Sequence, residues 1–275
     1  MKKLKFVLAG FLLTTLLVGC LQVDTKVNVN KNGSGTIEET VVMKNAVIQM
    51  FKGFAVMFDS TKTEEFQMFK EDELKSKAAD YGEGVEYVSG EKYSIEGYEG
   101  YKVVYAFKDI NKIKLSPNPD NKMPFGEEVM SAKVNDEKSV DDYLKFNFAK
   151  GNPSTLIIDF PKPEAEVDSV VEDTEAIQDS AFNDDMTNKL TEMFDGLKMN
   201  LTINFNDDID ETDASFVDGN NVTLMQIDFS EILKHKDVME KLQKSKPKTM
   251  EQFNEAVGDM KGIKVEFKDK ITVKF

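Results

Sequence analysis

Apolar and polar residues alternate strictly at the start of the folded part of this chain. Val23, Thr25, Val27 and Val29 interleave with Asp24, Lys26, Asn28 and Asn30, which is the period of a half-buried strand. Asn32-Gly33-Ser34-Gly35 supplies the residues of a tight turn, and residues 36–42 return as a second strand, so the fold opens on a hairpin. The period then changes. Val47, Met50, Phe51, Phe54, Ala55 and Phe58 fall at helical spacing, and Phe66, Phe69, Leu74, Ala78 and Tyr81 mark a second helix. Thr61 and Glu64 stand at capping-box spacing before that helix, and Gly82 and Gly84 end it.

Strands resume over residues 85–88 and at Tyr101, Val103, Tyr105 and Phe107, with Gly97-Tyr98-Glu99-Gly100 reading as a turn. Pro117, Pro119 and Pro124 mark a loop over 116–126. Leu144, Phe146 and Phe148 pair in expectation with residues 156–160 across Asn152-Pro153. Phe182, Met186, Leu190, Met193, Phe194 and Leu197 give one face of a helix, and Leu201, Ile203 and Phe205 return to period two. Asp218-Gly219-Asn220-Asn221 predicts a hairpin turn into a strand over 222–229. Short helices are expected over 232–242 and 250–260, separated by Pro247. At the C-terminus Ile263, Val265, Phe267, Ile271, Val273 and Phe275 occupy one face. Lys264, Glu266, Lys268, Lys270, Thr272 and Lys274 occupy the other, the pattern of a half-buried antiparallel strand or hairpin. Hairpins joined by helices predict an α+β fold with a largely antiparallel sheet and several packed helices.

The first nineteen residues follow a different logic. Lys2, Lys3 and Lys5 precede an apolar run from Phe6 to Val18, the layout of a secretory signal peptide. A membrane-spanning helix needs about 20 apolar residues, more than this run offers. It ends at Leu17-Val18-Gly19-Cys20, and Cys20 is the single cysteine of 275 residues. These four residues resemble the lipobox of bacterial lipoproteins. The resemblance implies cleavage between Gly19 and Cys20 and acylation of the Cys20 sulfur. Each buried methylene of an acyl chain contributes about 0.8 kcal/mol, so two or three chains hold a protein on a bilayer durably. The organisation expected is a signal peptide over 1–19 and an extracytoplasmic domain over 20–275, lipid-anchored to the cell membrane. The stretch 161–185 carries nine acids against Lys162, opens with Pro161 and Pro163, and admits a subdivision near 161–180. No cysteine is left for disulfides, so stability rests on the core.

Charge narrows the partners. Three of the 35 basic residues lie in the signal segment, which leaves 32 against 50 acids, a formal charge of −18. Every basic residue is lysine. Arginine is the usual bidentate reader of phosphate and guanine, so an acidic chain without it does not suit nucleic acid.

The catalytic and metal motifs fail on spacing. Asn206, Asp208 and Asp210 have the 1-3-5 spacing of a calcium loop, but the sixth and twelfth positions hold Glu211 and Val217 instead of glycine and glutamate. A different calcium site would have to use Asp207, Asp208, Asp210 and Asp213, against the plainer reading of a solvated turn. His235 is the one histidine, flanked by lysines on an expected helix, and no Gly-x-Ser-x-Gly elbow accompanies it. No phosphate-binding glycine loop occurs. No catalytic residue, metal or cofactor is therefore assigned. The Ala46–Phe58 helix is apolar around more than half its circumference. Val47, Met50, Phe51, Phe54 and Phe58 would form either an apolar ligand face or part of the core.

The lipobox, the early Asn32-Gly33-Ser34-Gly35 turn and the late Val217-Asp218-Gly219-Asn220-Asn221-Val222-Thr223-Leu224 segment together resemble the LppM-like bacterial lipoproteins. The resemblance implies an extracytoplasmic α+β domain close behind a lipidated cysteine, binding lipid or another envelope component without catalysis. The alternatives are a structural or assembly accessory of the envelope and an envelope hydrolase with an unrecognised site.

Overall fold

The computed structural model describes residues 21–49, 52, 67–117, 143–161, 196–245, 255–258 and 260–275. The signal segment, Gly19 and Cys20 lie outside them. So do Thr61, Glu64, most of the expected 47–58 and 182–197 helices, and the acidic 162–180 stretch.

The architecture is α+β and mostly sheet. β1 (Leu21–Val29) and β2 (Gly35–Lys44) form the expected hairpin, with Leu21 opposite Met43 and Val29 opposite Gly35. Gly33 takes φ 81° in the turn, where its N–H donates to the Asn30 carbonyl at 2.9 Å. A second long hairpin joins β3 (Glu86–Ile95) to β4 (Tyr98–Phe107), and β4 pairs with β2. Tyr98, Glu99 and Gly100 are strand residues, so the turn expected over 97–100 reduces to Glu96 and Gly97, with Gly97 at φ 78°.

On the other flank of β1 lies β7 (Lys198–Phe205), and this pair is parallel. The expectation of a sheet made of hairpins is corrected here: two strands far apart in sequence meet at the centre. β10 (Asn221–Asp228) pairs antiparallel with β7, with the short β9 (Val217–Asp218) and β11 (Ile263–Val265) beside it. The order across the large sheet is β11-β10-β7-β1-β2-β4-β3. A smaller antiparallel sheet runs β5-β6-β12-β8, from Lys145–Ala149, Thr155–Asp159, Lys270–Lys274 and Glu211–Thr212.

The last thirteen residues therefore belong to two sheets, not to one strand or hairpin. β11 closes the edge of the large sheet, and the chain crosses to place β12 between β6 and β8. Phe275 packs between the sheets, its ring 4.5 Å from that of Phe205 and 6.3 Å from that of Phe148. Ser154 locks the corner: it exchanges main-chain hydrogen bonds with Phe275, and its hydroxyl donates to the Lys31 carbonyl at 3.0 Å.

Alternation decides which face is wet. Val23, Val27, Ile37, Val41, Val103, Tyr105, Leu201 and Ile203 point into one core, joined from the small sheet by Phe146, Leu156, Ile158, Ile271 and Val273. At about 25 cal/mol per Å² of apolar surface removed from water, this shared core is the main force holding the sheets together. The opposite face carries Asp24, Lys26, Asn28, Thr36, Glu38, Asn200, Thr202, Asn204 and Thr223. Asn28 donates to Thr36 and Glu38 across strands, and Asn204 donates to Asn221.

The helices are shorter than their periodicity predicts. α1 (Glu71–Ser76) passes into a 3₁₀ turn, Lys77–Tyr81, so the segment expected to be helical from residue 66 begins at 71. Gly90 of β3 lets it approach. A Cβ there would lie 3.2 Å from the Phe69 ring and 2.8 Å from the Tyr87 hydroxyl. α2 (Phe229–Lys234) starts one residue inside the expected end of the preceding strand, and the chain breaks at His235 before α3 (Lys236–Ser245). The expected 232–242 helix is thus two. Asp228 explains the early start, since its carboxylate accepts from the Ser230 N–H at 3.0 Å and pairs with Lys198 at 2.8 Å.

Candidate functional site

Three places in the fold bear on function: the end of the large sheet where β1 begins, a buried acid–tyrosine cluster under α1, and the acidic loop before β8.

β1 starts at Leu21, only 3% exposed and already in register with Met43. The row beyond Leu21 reads Lys44, Tyr98 and Ile95 across β2, β4 and β3. On the other side the neighbouring row runs Gln22, Lys198, Asp228, and the Phe229 N–H then donates to the Leu197 carbonyl at 3.1 Å. One end of the sheet thus collects the start of β1, the turn between β3 and β4, and the start of α2. Ile95, at 40%, is among the exposed large apolar side chains.

Of the apolar face expected on the following helix, Val47 is buried at 6% and belongs to the core cluster, together with Ile48. Met50, Phe51, Phe54 and Phe58 lie outside the described residues.

The acid–tyrosine cluster joins residues that share no local motif in the sequence. Glu39 sits on the core face between Thr25 and Val103 and is 6% exposed. The Tyr81 hydroxyl donates to its Oε2 at 2.5 Å. The Tyr105 ring lies 4.9 Å from that of Tyr81, and its hydroxyl donates to the Leu74 carbonyl at 2.9 Å. Burial, then the neighbouring Glu39 carboxylate, pushes the Tyr81 phenol well above the usual tyrosine range. The same causes, in the same order, raise Tyr101 and Tyr105. These tyrosines are therefore proton-bearing donors at neutral pH, and Tyr81 satisfies a buried carboxylate. The cluster ties α1 and its 3₁₀ turn to the sheet. The signal was present in the sequence: Glu39 stands in phase with Ile37 and Val41, an acid on the apolar face of its strand.

A second acid departs from its expected side. The C-terminal alternation puts Glu266 with the wet residues, yet it is 4% exposed. Its carboxylate accepts from the N–H and hydroxyl of Ser215, at 2.7 and 2.9 Å, and from the N–H groups of Phe267 and Lys268. The chain turns from one sheet to the other at this residue, which is why alternation misassigns it.

In the acidic loop, Asp207 pairs with Lys31 at 3.2 Å, and Asp208 accepts from Asn220. The Asp213 carboxylate accepts from the Thr272 N–H. Among the described residues no three His, Cys, Asp or Glu side chains converge on a metal-sized site. His235 is exposed at the break between α2 and α3, its carbonyl accepting from the Val238 N–H. The described residues include shallow surface depressions. One of about 670 Å³ lies by Gly82, Glu83 and Gly84, and one of about 580 Å³ lies between Lys241, Lys244 and Glu255; Val47 lines neither. No helix among the described residues is long and apolar enough to cross a membrane.

No protein-family model matches the chain. No curated protein matches it. Among solved structures it is similar to the folded domain of LppM from Mycobacterium tuberculosis, determined by NMR, with 10% identity and a TM-score of 0.29. The likeness covers 75% of this chain and 82% of that one.

Proposed function

We propose that this chain is an extracytoplasmic lipoprotein, held on the membrane by acyl chains on Cys20, and that its α+β domain binds or contacts an envelope component without catalysis. The observation that carries the reading is the burial of Leu21, the residue after Cys20. The lipobox would make Cys20 the first mature residue, and the next residue, Leu21, is already buried in a central strand. The residue that sequence chemistry marks for acylation thus directly precedes a residue buried in the sheet.

A non-catalytic role is supported by the work that the buried acids do. Glu39 and Glu266 are spent on hydrogen bonds that join elements of the fold. The binding reading draws on the outer face of the large sheet, where Asn28, Thr36, Glu38, Asn200, Thr202 and Asn204 form a broad polar surface. That surface favours a polar envelope partner over an enclosed apolar ligand.

The test is metabolic labelling with an alkyne fatty acid. Label is expected on the wild type and lost in Cys20→Ser, with precursor accumulating. Label that persists in Cys20→Ser, or never appears on the wild type, overturns the proposal.

A further inference from the structure

We propose that the end of the large sheet where β1 begins is itself a bilayer-contact surface, seated in the phospholipid headgroup layer with Lys44, Ile95 and Tyr98 against the lipid. The proposal rests on the Cys20 anchor and goes beyond it, because it fixes how the domain stands on the membrane.

The argument is one of reach. Consecutive Cα atoms are about 3.8 Å apart, and Leu21 is already hydrogen-bonded in register between β2 and β7. No linker lets the domain swing away from acyl chains on the preceding residue. The hydrocarbon core of a bilayer is about 30 Å thick and the whole about 40–45 Å, so each headgroup layer is several ångströms deep. A strand that starts one residue from the anchor starts within or against that layer.

The register then decides what else lies there. Lys44, Tyr98 and Ile95 continue the row just beyond Leu21 across three further strands. With strands about 4.8 Å apart, Ile95 stands about 14 Å from β1 along the sheet end. The chemistry suits the headgroup layer: an exposed isoleucine, a tyrosine, and a lysine long enough to reach phosphate. Glu96 and Glu99 flank them and favour an interfacial seat over deeper insertion. α2 leaves the sheet at the same end, where the Phe229 N–H donates to the Leu197 carbonyl.

The single native cysteine makes the test clean, since acylation consumes it and an introduced cysteine is then the one free thiol. Full-length acylated protein carrying Ile95→Cys or Val88→Cys is labelled with a fluorophore. It is then reconstituted in vesicles of phosphatidylglycerol and phosphatidylcholine containing headgroup nitroxide lipid. Val88 lies on the same strand, is 56% exposed, and stands about 23 Å farther along it. The label at 95 is expected to lose most of its fluorescence and the label at 88 little. Equal quenching at both sites, or none at 95, overturns the contact surface while leaving the anchor intact. Intact mass read on the same samples separates the two failures, because protein without acyl mass that does not float with vesicles removes the anchor and the contact surface with it. Both positions are exposed, and unchanged circular dichroism confirms that each variant is folded.

Discussion

The carboxylate of Glu266 holds Ser215 by two hydrogen bonds, one to its N–H at 2.7 Å and one to its hydroxyl at 2.9 Å. This contact sits where the chain leaves β11 for β12, and the same carboxylate also accepts from the N–H groups of Phe267 and Lys268. One buried acid therefore sets the corner that joins the two sheets.

Glu266→Ala removes the acceptor these donors share, and water can reach the exposed Ser215 and Lys268 in its place. Losing an intramolecular hydrogen bond typically costs about 0.5–1.5 kcal/mol. The expected result in urea denaturation is a lower midpoint with unchanged slope. Glu266→Gln keeps one acceptor oxygen and is expected to lose less. A variant as stable as the wild type would show that the corner is held by other contacts.

The tyrosines over Glu39 give the fold an alkaline limit. Below pH 10, the ordinary tyrosine value, both folded and unfolded chains keep these protons, and the contribution to stability is complete. As pH rises past 10 the unfolded chain releases protons that the fold retains on Tyr81, Tyr101 and Tyr105, so stability falls until the raised folded values are passed. Denaturation midpoints are expected to drop steeply above that pH, with the phenolate absorbance of these three tyrosines appearing together with unfolding. Tyr81→Phe should reduce this slope while lowering stability at neutral pH by about 1.5–3 kcal/mol, the contribution of a hydrogen bond to a charged group. Phenolate absorbance that single Tyr→Phe variants assign to Tyr81, Tyr101 or Tyr105, apart from the four other tyrosines, and that rises near pH 10 before unfolding would contradict the buried assignment.

At Gly100 of β4 there is no room for a side chain against β2. A Cβ there would stand 1.9 Å from the Val41 carbonyl oxygen, a backbone atom that cannot turn aside. Gly100→Ala must therefore part the strands, and overpacking of this kind typically costs about 1–3 kcal/mol. Gly84→Ala, at φ 77° with nothing within 4 Å of the added carbon, should carry only the backbone strain of a left-handed residue, about 1–2 kcal/mol. Thermal melts of the two variants compare a steric cost with a conformational one. Retention of wild-type stability by Gly100→Ala would show that the sheet accommodates the methyl.

The legible parts of the fold were those governed by local chemistry. Alternation from Val23 to Val29 marked β1 and its buried side, because each side chain in a strand faces opposite to the last. Asn32 to Gly35 and Asp218 to Asn221 marked turns, since Gly33 and Gly219 take positive φ there at no steric cost. The lysines, the short apolar run and Cys20 set the expectation of an anchored lipoprotein through composition alone.

Tertiary structure decided what alternation does not encode. A period of two says which side of a strand is wet, not which strand lies beside it, so the parallel pairing of β1 with β7 had no local signature. The 263–275 pattern alternates along one axis, but the chain bends at Glu266 and divides its strands between two sheets, turning a residue from the polar series inward. Glu39 stood in the apolar phase of β2, yet its hydrogen-bond donor, Tyr81, comes from a segment 42 positions away. Helix bounds depart from the local pattern for the same reason: α1 ends in a 3₁₀ turn where Tyr81 must reach Glu39, and α2 begins early where Asp228 caps it. Local sequence fixes conformation and polarity residue by residue, whereas partners at long range are chosen by the packing of a shared core.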